Sequence, residues 1–363
     1  MLKQLNLNNF TAFTSATVDF SPGVNVVIGQ NGTGKTHILK AAYAMMAFHG
    51  QSMQELGGFD KDYAFQDRIL AKKLLGVFRA SQLKKLVRIS DSKSARIRCS
   101  FGQATQYDIE IAPDNNADGY RIERRKPFAF DNTCSVIYLP TRELLTFAPG
   151  FAAIYDKFHL PFEETWKDTC LALTSPLSKD LDPAVMNSVI LPLEKAMGGT
   201  LETDEGGRFV LKTERGDFEI HLVAEGFRKL ATLARIVATG QLSRGSTLFW
   251  DEPEANLNPA LIRVAAQVIL ALGTHGVQVV LATHSVYLLR ELYILQRSLP
   301  DLAKTGMHFI GLTRAKDQVT VSQGDHIEEL PAITALDEEL IQADRYIDAA
   351  NGLKPQSADR TQA

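Results

Sequence analysis

Two short stretches of this chain carry residue types that do phosphate chemistry. The first, Gly29-Gln-Asn-Gly-Thr-Gly34-Lys35-Thr36, fits the pattern G-x-x-x-x-G-K-[ST]. The second, Thr247-Leu-Phe-Trp250-Asp251-Glu252-Pro253-Glu254, is an apolar run that ends in two adjacent carboxylates. In the first, Gly29, Gly32 and Gly34 let a loop turn its backbone N–H groups inward as an anion nest, to which Asn31 and Thr33 also belong. Lys35 is a mobile charge for the β- and γ-phosphates, and the Thr36 hydroxyl is a magnesium ligand. His37 opens the next helix, where it could donate to the α-phosphate. In the second stretch, Asp251 at a strand end holds magnesium. Glu252, one residue on, points away from Asp251 by strand alternation and reaches an attacking water. The two motifs together predict binding of a nucleoside triphosphate with magnesium, and its hydrolysis.

Such groups need rigid elements to hold them. Val24-Asn-Val-Val-Ile28 reads as a buried strand ahead of the glycine loop. A helix from about Thr36 to Phe48 then presents the positive end of its dipole to the phosphates. Leu5, Leu7, Val18 and Phe20 alternate with polar residues and predict two earlier strands. Residues 96–101 and 107–111 read as strands of an antiparallel sheet beside the nucleotide, and residues 114–119 as a loop. Basic helical segments fall around residues 68–75 and 81–88. Residues 134–139 read as a strand that runs into Pro140-Thr-Arg-Glu143. Residues 151–197 read as mainly helical, broken by Pro161, Pro176 and Pro183. Residues 208–212 and 217–222 read as a hairpin over Glu214-Arg-Gly216, so that a strand leads into Val223-Ala-Glu-Gly226. A helix over 286–297, strands near 307–312 and 318–321, and an acidic helix over 336–349 complete the chain. The last helix carries Leu336, Leu340, Ile341 and Ile347 and is expected to pack on its own domain. A polar tail over 351–363 is expected to be disordered. The fold class is α/β, with a mixed core sheet, an antiparallel β subdomain and a helical insertion.

The chain has 363 residues, 45% hydrophobic and 22% charged, in the range of an ordinary globular protein. No apolar run approaches the roughly 18 residues that a membrane-spanning helix needs. Cys99, Cys134 and Cys170 are scattered and odd in number, which points to neither a disulfide framework nor a zinc site. A reducing cytoplasm is the expected location. The net charge of −3 is unevenly spread. From Lys72 to Arg98 there are nine Lys or Arg against one acid, and from Asp325 to Asp348 eight acids against one Arg. The basic stretch is either a nucleic-acid contact or a solvated face on which a partner docks. With Phe78 its only aromatic, it offers no platform for stacked bases.

The stretch Asp251-Glu-Pro-Glu-Ala-Asn-Leu-Asn-Pro259, followed by Val279-Val-Leu-Ala-Thr-His284-Ser285, resembles the ATP-binding-cassette ATPases, a branch of the P-loop NTPases. The resemblance implies that Asp251 binds magnesium, that Glu252 polarises water and that His284 contacts the γ-phosphate. Residues 255–258 would form a loop across a dimer interface. Val223-Ala-Glu-Gly226-Phe-Arg-Lys-Leu-Ala-Thr-Leu-Ala-Arg235 is similar to the family's signature turn and helix, which close over the γ-phosphate of the opposite subunit. Ala224 and Glu225 stand where serine and glycine are common, so N–H groups near Gly226, or Lys229, would replace the missing hydroxyl contact. The family's glutamine loop has no clear counterpart. Arg142 or Glu143 takes its role, or Pro140–Glu143 is a structural turn with an Arg–Glu pair.

The absence of sustained heptads in 49–199 disfavours the chromosome-structural and double-strand-break repair members. Residues 285–363 contain no Asp-x-Asp pair, which disfavours a fused nuclease. What remains is similar to the compact bacterial ATPases of the overcoming-lysogenisation group. The resemblance implies one discontinuous ATPase domain over 1–350. Its lobes would be 1–48 with the phosphate loop, 49–199 as the insertion, and 200–350 with the signature, the carboxylates and His284. It also implies a regulatory ATPase that forms a homodimer or larger homo-oligomer and controls a separate effector protein, in anti-phage defence. The alternative is a DNA-repair ATPase of the recombination-mediator kind, binding duplex DNA near Lys72–Arg98. A membrane partner is not expected.

Overall fold

The computed structural model describes the chain except residues 56–62, 90–92, 102–104, 114–119, 125–134, 303, 317, 332–333 and 352–363. The expected loop over 114–119, Cys134 and the tail beyond 351 thus lie outside the described residues. The elements run β1 (Leu2–Phe10), β2 (Phe13–Asp19), β3 (Val24–Gly29), α1 (Lys35–Glu55), α2 (Tyr63–Phe78), β4 (Ala95–Phe101), β5 (Thr105–Pro113), β6 (Tyr120–Arg124) and β7 (Val136–Leu139). Next come α3 (Ala148–Phe158), α4 (Glu164–Thr174), α5 (Pro183–Val185), α6 (Leu191–Met197), β8 (Gly199–Thr203), β9 (Phe209–Thr213) and β10 (Gly216–Glu219). The chain closes with α7 (Glu225–Ala238), β11 (Thr247–Asp251), α8 (Pro259–Thr274), β12 (Gln278–Thr283), α9 (Val286–Ser298), β13 (Met307–Ala315), β14 (Gln318–Gly324) and α10 (Thr334–Ala350).

The central sheet has the order β14-β13-β3-β12-β11-β7, with β14 antiparallel at one edge and the other five strands parallel. Strands β11 and β12 are buried along their whole length, and both are continuous apolar runs closed by polar residues. Their side chains alternate between two cores. Leu248, Trp250, Val279 and Leu281 enter a core shared with α4, α6, α7, α8 and α9. Phe249, Val280 and Ala282 enter one shared with α1, α2 and the strands that precede the phosphate loop. That second core is roofed by the antiparallel sheet β2-β1-β4-β5-β6. The third sheet, β10-β9-β8, is a small antiparallel meander before α7.

One buried side chain ties the antiparallel sheet to the parallel one. Gln278, fully buried at the start of β12, accepts from Leu2 N at 3.0 Å and donates to Leu2 O and Ser21 O at 2.8 Å each. The Thr247 hydroxyl of β11 shares its Oε1 at 3.2 Å.

Several sequence expectations are corrected. Residues 81–88 form only a 3-10 turn over Leu83–Leu86, because Val87 bridges back to Phe10 and draws the chain into extended geometry. The hairpin β9–β10 has a third strand, β8, and a 3-10 turn over Ile220–Leu222, not a strand, leads into α7. Of the residues expected to pack α10 on its own domain, Ile347 is instead 55% exposed, beside Tyr346 at 75%; Ile341 is half-buried, and the side chains of Leu336 and Leu340 lie outside the described residues.

The basic stretch does not form one face. Lys73 is buried and paired with Glu164 and Asp168 of α4 at 2.9 and 2.7 Å. Arg96 and Arg98 both clamp Asp108, and the guanidinium hydrogen bonds, acting against burial, hold that carboxyl below the usual carboxylate range. Lys72, Arg79, Lys84 and Lys85 stay exposed. The two described thiols, Cys99 and Cys170, are buried and free, and burial pushes the Cys170 pKa up to about 12.

Replacing Gln278 by Leu should strip buried Leu2 N and Leu2 O of their side-chain partner, while Ser21 O keeps its bond from Asn25 Nδ2. Each such group costs about 1–3 kcal/mol, and a clear drop in the urea midpoint is expected. An unchanged midpoint would refute the role of Gln278 as the link between the sheets.

Candidate active site

Strands β3, β12 and β11 lie side by side, and their C-terminal ends are level: Ile28 pairs with Thr283, and Ala282 with Asp251. The loops that follow all emerge on one edge of the sheet, where ligands of open α/β sheets bind. The phosphate loop after β3 turns at Gly32 and Gly34, with φ of 79° and 95°. A side-chain carbon at Gly34 would also lie 2.7 Å from the Phe13 ring. Asn31 and Gly32 are exposed at the loop tip. Thr33 is buried, and its hydroxyl donates to Gln30 O at 2.8 Å, so its side chain shapes the loop from within. The Lys35 ammonium folds over the loop and donates to the carbonyls of Gly29 and Gln30 at 2.8 and 3.1 Å. Burial pulls its pKa down, against the pull of Glu252, Asp251 and Glu254.

Helix α1 brings the two motifs together. The Thr36 hydroxyl lies 2.9 and 3.2 Å from the two carboxylate oxygens of Asp251. Asp251 is 7% exposed, and burial raises its pKa although Thr36, Lys40 and Lys35 favour the charged form. A hydroxyl and a desolvated carboxylate make a hard oxygen donor set, which fits a magnesium ion shared with phosphate oxygens. Such an ion would supply charge neutralisation at the phosphates.

Glu252 does not follow the strand alternation expected of it. It has left β11, and its φ of 49° is in the left-handed region, rare for a residue other than glycine. Its N–H donates to Ala282 O at 2.9 Å, and its carboxylate lies 3.3 Å from His284 Nδ1. His284 directly follows β12 with its side chain 51% exposed, open to a ligand at this edge. Glu254, for which no role is legible in the sequence, is buried behind them. It accepts from the Thr283 hydroxyl at 2.6 Å and lies 3.9 Å from His284. No local periodicity could reveal it, since it follows Pro253 in an irregular turn.

His37, in the first turn of α1, packs beside Phe78. Its ring lies 5.7 Å from Phe78, burial lowers its pKa, and its Nδ1 is buried without a partner. Lys229 is not directed at an opposite subunit. It is buried, and its ammonium donates to Glu252 O, Thr141 O and Ala255 O of its own chain at 2.6, 3.2 and 3.2 Å. Burial lowers its pKa to about 8. Gly226 is also buried: a side-chain carbon there would meet Asn256 O at 2.8 Å, so the glycine permits a close internal approach. The outward residues of the signature turn are Ala224 and Glu225. In the segment after β7, Arg142 is exposed and Glu143 is buried against Arg228 of α7, with Nε 2.8 Å from the carboxylate. The structural turn is what forms there, and its arginine comes from α7.

With this geometry in view, similarity to known proteins narrows the family. Residues 1–188, about half the chain and including the phosphate loop, match the AAA ATPase domain family. The chain belongs to that family. Short matches link this ATPase to proteins named DNA replication and repair protein RecF. That of Limosilactobacillus reuteri (strain DSM 20016) is 47% identical over 45 residues, and that of Psychromonas ingrahamii 50% over 42. Each alignment covers 12% of this chain and 12% of the relative, so it spans a small part of those proteins. Among solved structures, an SmcHead bound to the C-winged helix domain of ScpA aligns over 90% of this chain and 98% of its own, with 16% identity and a TM-score of 0.52. The Pyrococcus furiosus Smc head with an extended coiled coil, bound to the C-terminal domain of ScpA, covers 94% and 98%, with 12% identity and a TM-score of 0.51. These likenesses establish an ABC-type P-loop ATPase fold. Among the described residues, no helix is long and apolar enough to cross a membrane.

Lys35→Ala should weaken ATP binding by about 10- to 100-fold, the equivalent of ~1.5–3 kcal/mol for a hydrogen bond to a charged group. Calorimetric titration with magnesium and ATP is the measurement. An unchanged affinity would remove Lys35 from the phosphate site.

Proposed function

We propose that this ATPase hydrolyses ATP with magnesium between two copies of itself, and that the closed dimer controls a separate effector protein. The observation that carries the reading is the Thr36–Asp251 contact at 2.9 Å with Glu252 and His284 on the adjacent strand ends. The nest over 31–34 and Lys35 bind the β- and γ-phosphates. Thr36 and Asp251 hold magnesium. Glu252 accepts a proton from the attacking water, and His284 contacts the γ-phosphate and orients Glu252. Residues 1–350 act as one discontinuous ATPase domain.

Dimerisation is supported by apolar surface beside the signature turn. Leu222 is 75% and Phe218 41% exposed there. Control of a second protein is supported by the helical insertion, which exposes Ile154, Phe158 and Leu171 at 49, 62 and 47%. Smc heads of the same fold are described as bound to a domain of ScpA. A role in anti-phage defence belongs to this reading by resemblance to the lysogenisation group.

The RecF names of the short matches favour a second reading, a DNA-repair ATPase. Its contact would be the exposed Lys72, Arg79, Lys84 and Lys85. Duplex DNA binding that weakens steeply with salt, and is lost when these four become Gln, would favour it.

Glu252→Gln should retain ATP and magnesium but hydrolyse about 100- to 10,000-fold more slowly, because an amide cannot take the proton. The same variant should form a closed dimer with ATP, seen as a doubled mass by light scattering. Hydrolysis at the wild-type rate would unseat Glu252, and a monomer under saturating ATP would unseat the dimer. Gly226→Asp is a poor probe of closure, because any side chain there strikes Asn256 within its own subunit.

A further inference from the structure

The first turn of α7 is fastened to the carboxylate-bearing turn by side chains of its own subunit. Glu225 accepts from Asn256 Nδ2 at 2.9 Å, and Gly226 leaves just enough room for Asn256 O. Arg228 reaches Glu143 at 2.8 Å and donates to Val223 O at 3.0 Å. Lys229 is the centre of this set. An ammonium has three N–H donors, and here each has a carbonyl acceptor. Those carbonyls come from two segments: Thr141 just beyond β7, and Glu252 and Ala255 beyond β11. The shortest bond, 2.6 Å, goes to the peptide oxygen of Glu252.

Glu252 is one of the few non-glycine residues whose backbone lies at positive φ. Its left-handed φ of 49° sets where its carboxylate points. Its N–H is fixed by Ala282 of β12, a rigid, fully buried strand. Its carbonyl is fixed by Lys229 of α7. One end of this residue is therefore anchored to the sheet and the other to the helix that begins at the signature turn.

We propose that Lys229 is a positioning residue that couples α7 to Glu252, so that a shift of the signature turn changes the aim of the water-activating carboxylate in the same subunit. The inference rests on the reading of Glu252 as the group that activates water. It assigns to the signature helix a task inside its own site, besides any contact with an opposite subunit. ATP docking against the turn of one subunit would thereby be felt at the carboxylate of that subunit as well.

A double-mutant cycle in the full-length chain tests this. Wild type, Lys229→Met, Glu252→Gln and the double variant are compared for equilibrium binding of magnesium–ATP and for single-turnover hydrolysis. Lys229→Met keeps the length of the stem and removes all three donors. It should slow single-turnover hydrolysis by about 10- to 100-fold, the scale of a misplaced catalytic group, with ATP affinity held within about threefold. In the Glu252→Gln background it should change the residual rate by less than about twofold, because the group it positions has gone. A full, additive loss in that background overturns the inference, as does a parallel fall of affinity and rate. Wild-type hydrolysis by Glu252→Gln alone overturns the underlying reading together with the inference, so the two failures are told apart by one single variant. If Lys229→Met does not fold, Lys229→Gln enters the same cycle and the same outcomes decide.

Discussion

The parallel pairing of β3, β12 and β11 is the constraint on which the catalytic edge depends. It levels the ends of strands that are far apart in sequence, so that Thr36, Asp251, Glu252 and His284 share one small volume. Parallel strands demand burial on both faces, and the two cores supply it. The helices on one face and the antiparallel sheet on the other are therefore part of the site's machinery, since without them the ends would not stay level. Gln278 illustrates the dependence: a single buried amide ties the chain's first strand to the base of β11 and β12.

Electrostatics at that edge are balanced by desolvation. Lys35, Lys229 and Asp251 are all largely withdrawn from water, and burial opposes the charged form of each. Acidic and basic groups nonetheless face one another across a short distance, which favours charge. A triphosphate with a hard cation fits such a site because it brings both signs at once. Lys229 donates its hydrogen bonds to peptide carbonyls and leaves the nearby carboxylates to other partners. A lysine so placed acts as a structural rivet between secondary elements.

The same logic dissolves the apparent basic patch. Charge counted along the chain assumes that side chains near in sequence face the same solvent. Lys73 instead joins α2 to α4, and Arg96 and Arg98 neutralise Asp108 across paired strands. The exposed remainder is a short cluster on α2 and the turn after it, with Lys93 ahead of β4. Conversely, exposed apolar residues on α10 and on the helical insertion could not be separated by composition from core residues, because amphipathic spacing does not say whether a partner face exists.

The sequence by itself determined the phosphate loop, the strand–carboxylate motif and the α/β class, since each is written in contiguous residues whose local geometry they impose. Glycines at positive φ and an apolar run closed by Asp251 need no distant partner to be recognised. Tertiary structure alone decided the direction in which Lys229 and His37 point, the partner of Glu143, and the place of Glu254. Each depends on which strand lies beside which, and on space left by neighbours remote in sequence. Glu252 marks the boundary between the two. Its identity was legible, but its orientation comes from a left-handed backbone pinned by β12 on one side and α7 on the other. Strand alternation fails at that residue because the strand has ended and tertiary hydrogen bonds have taken over.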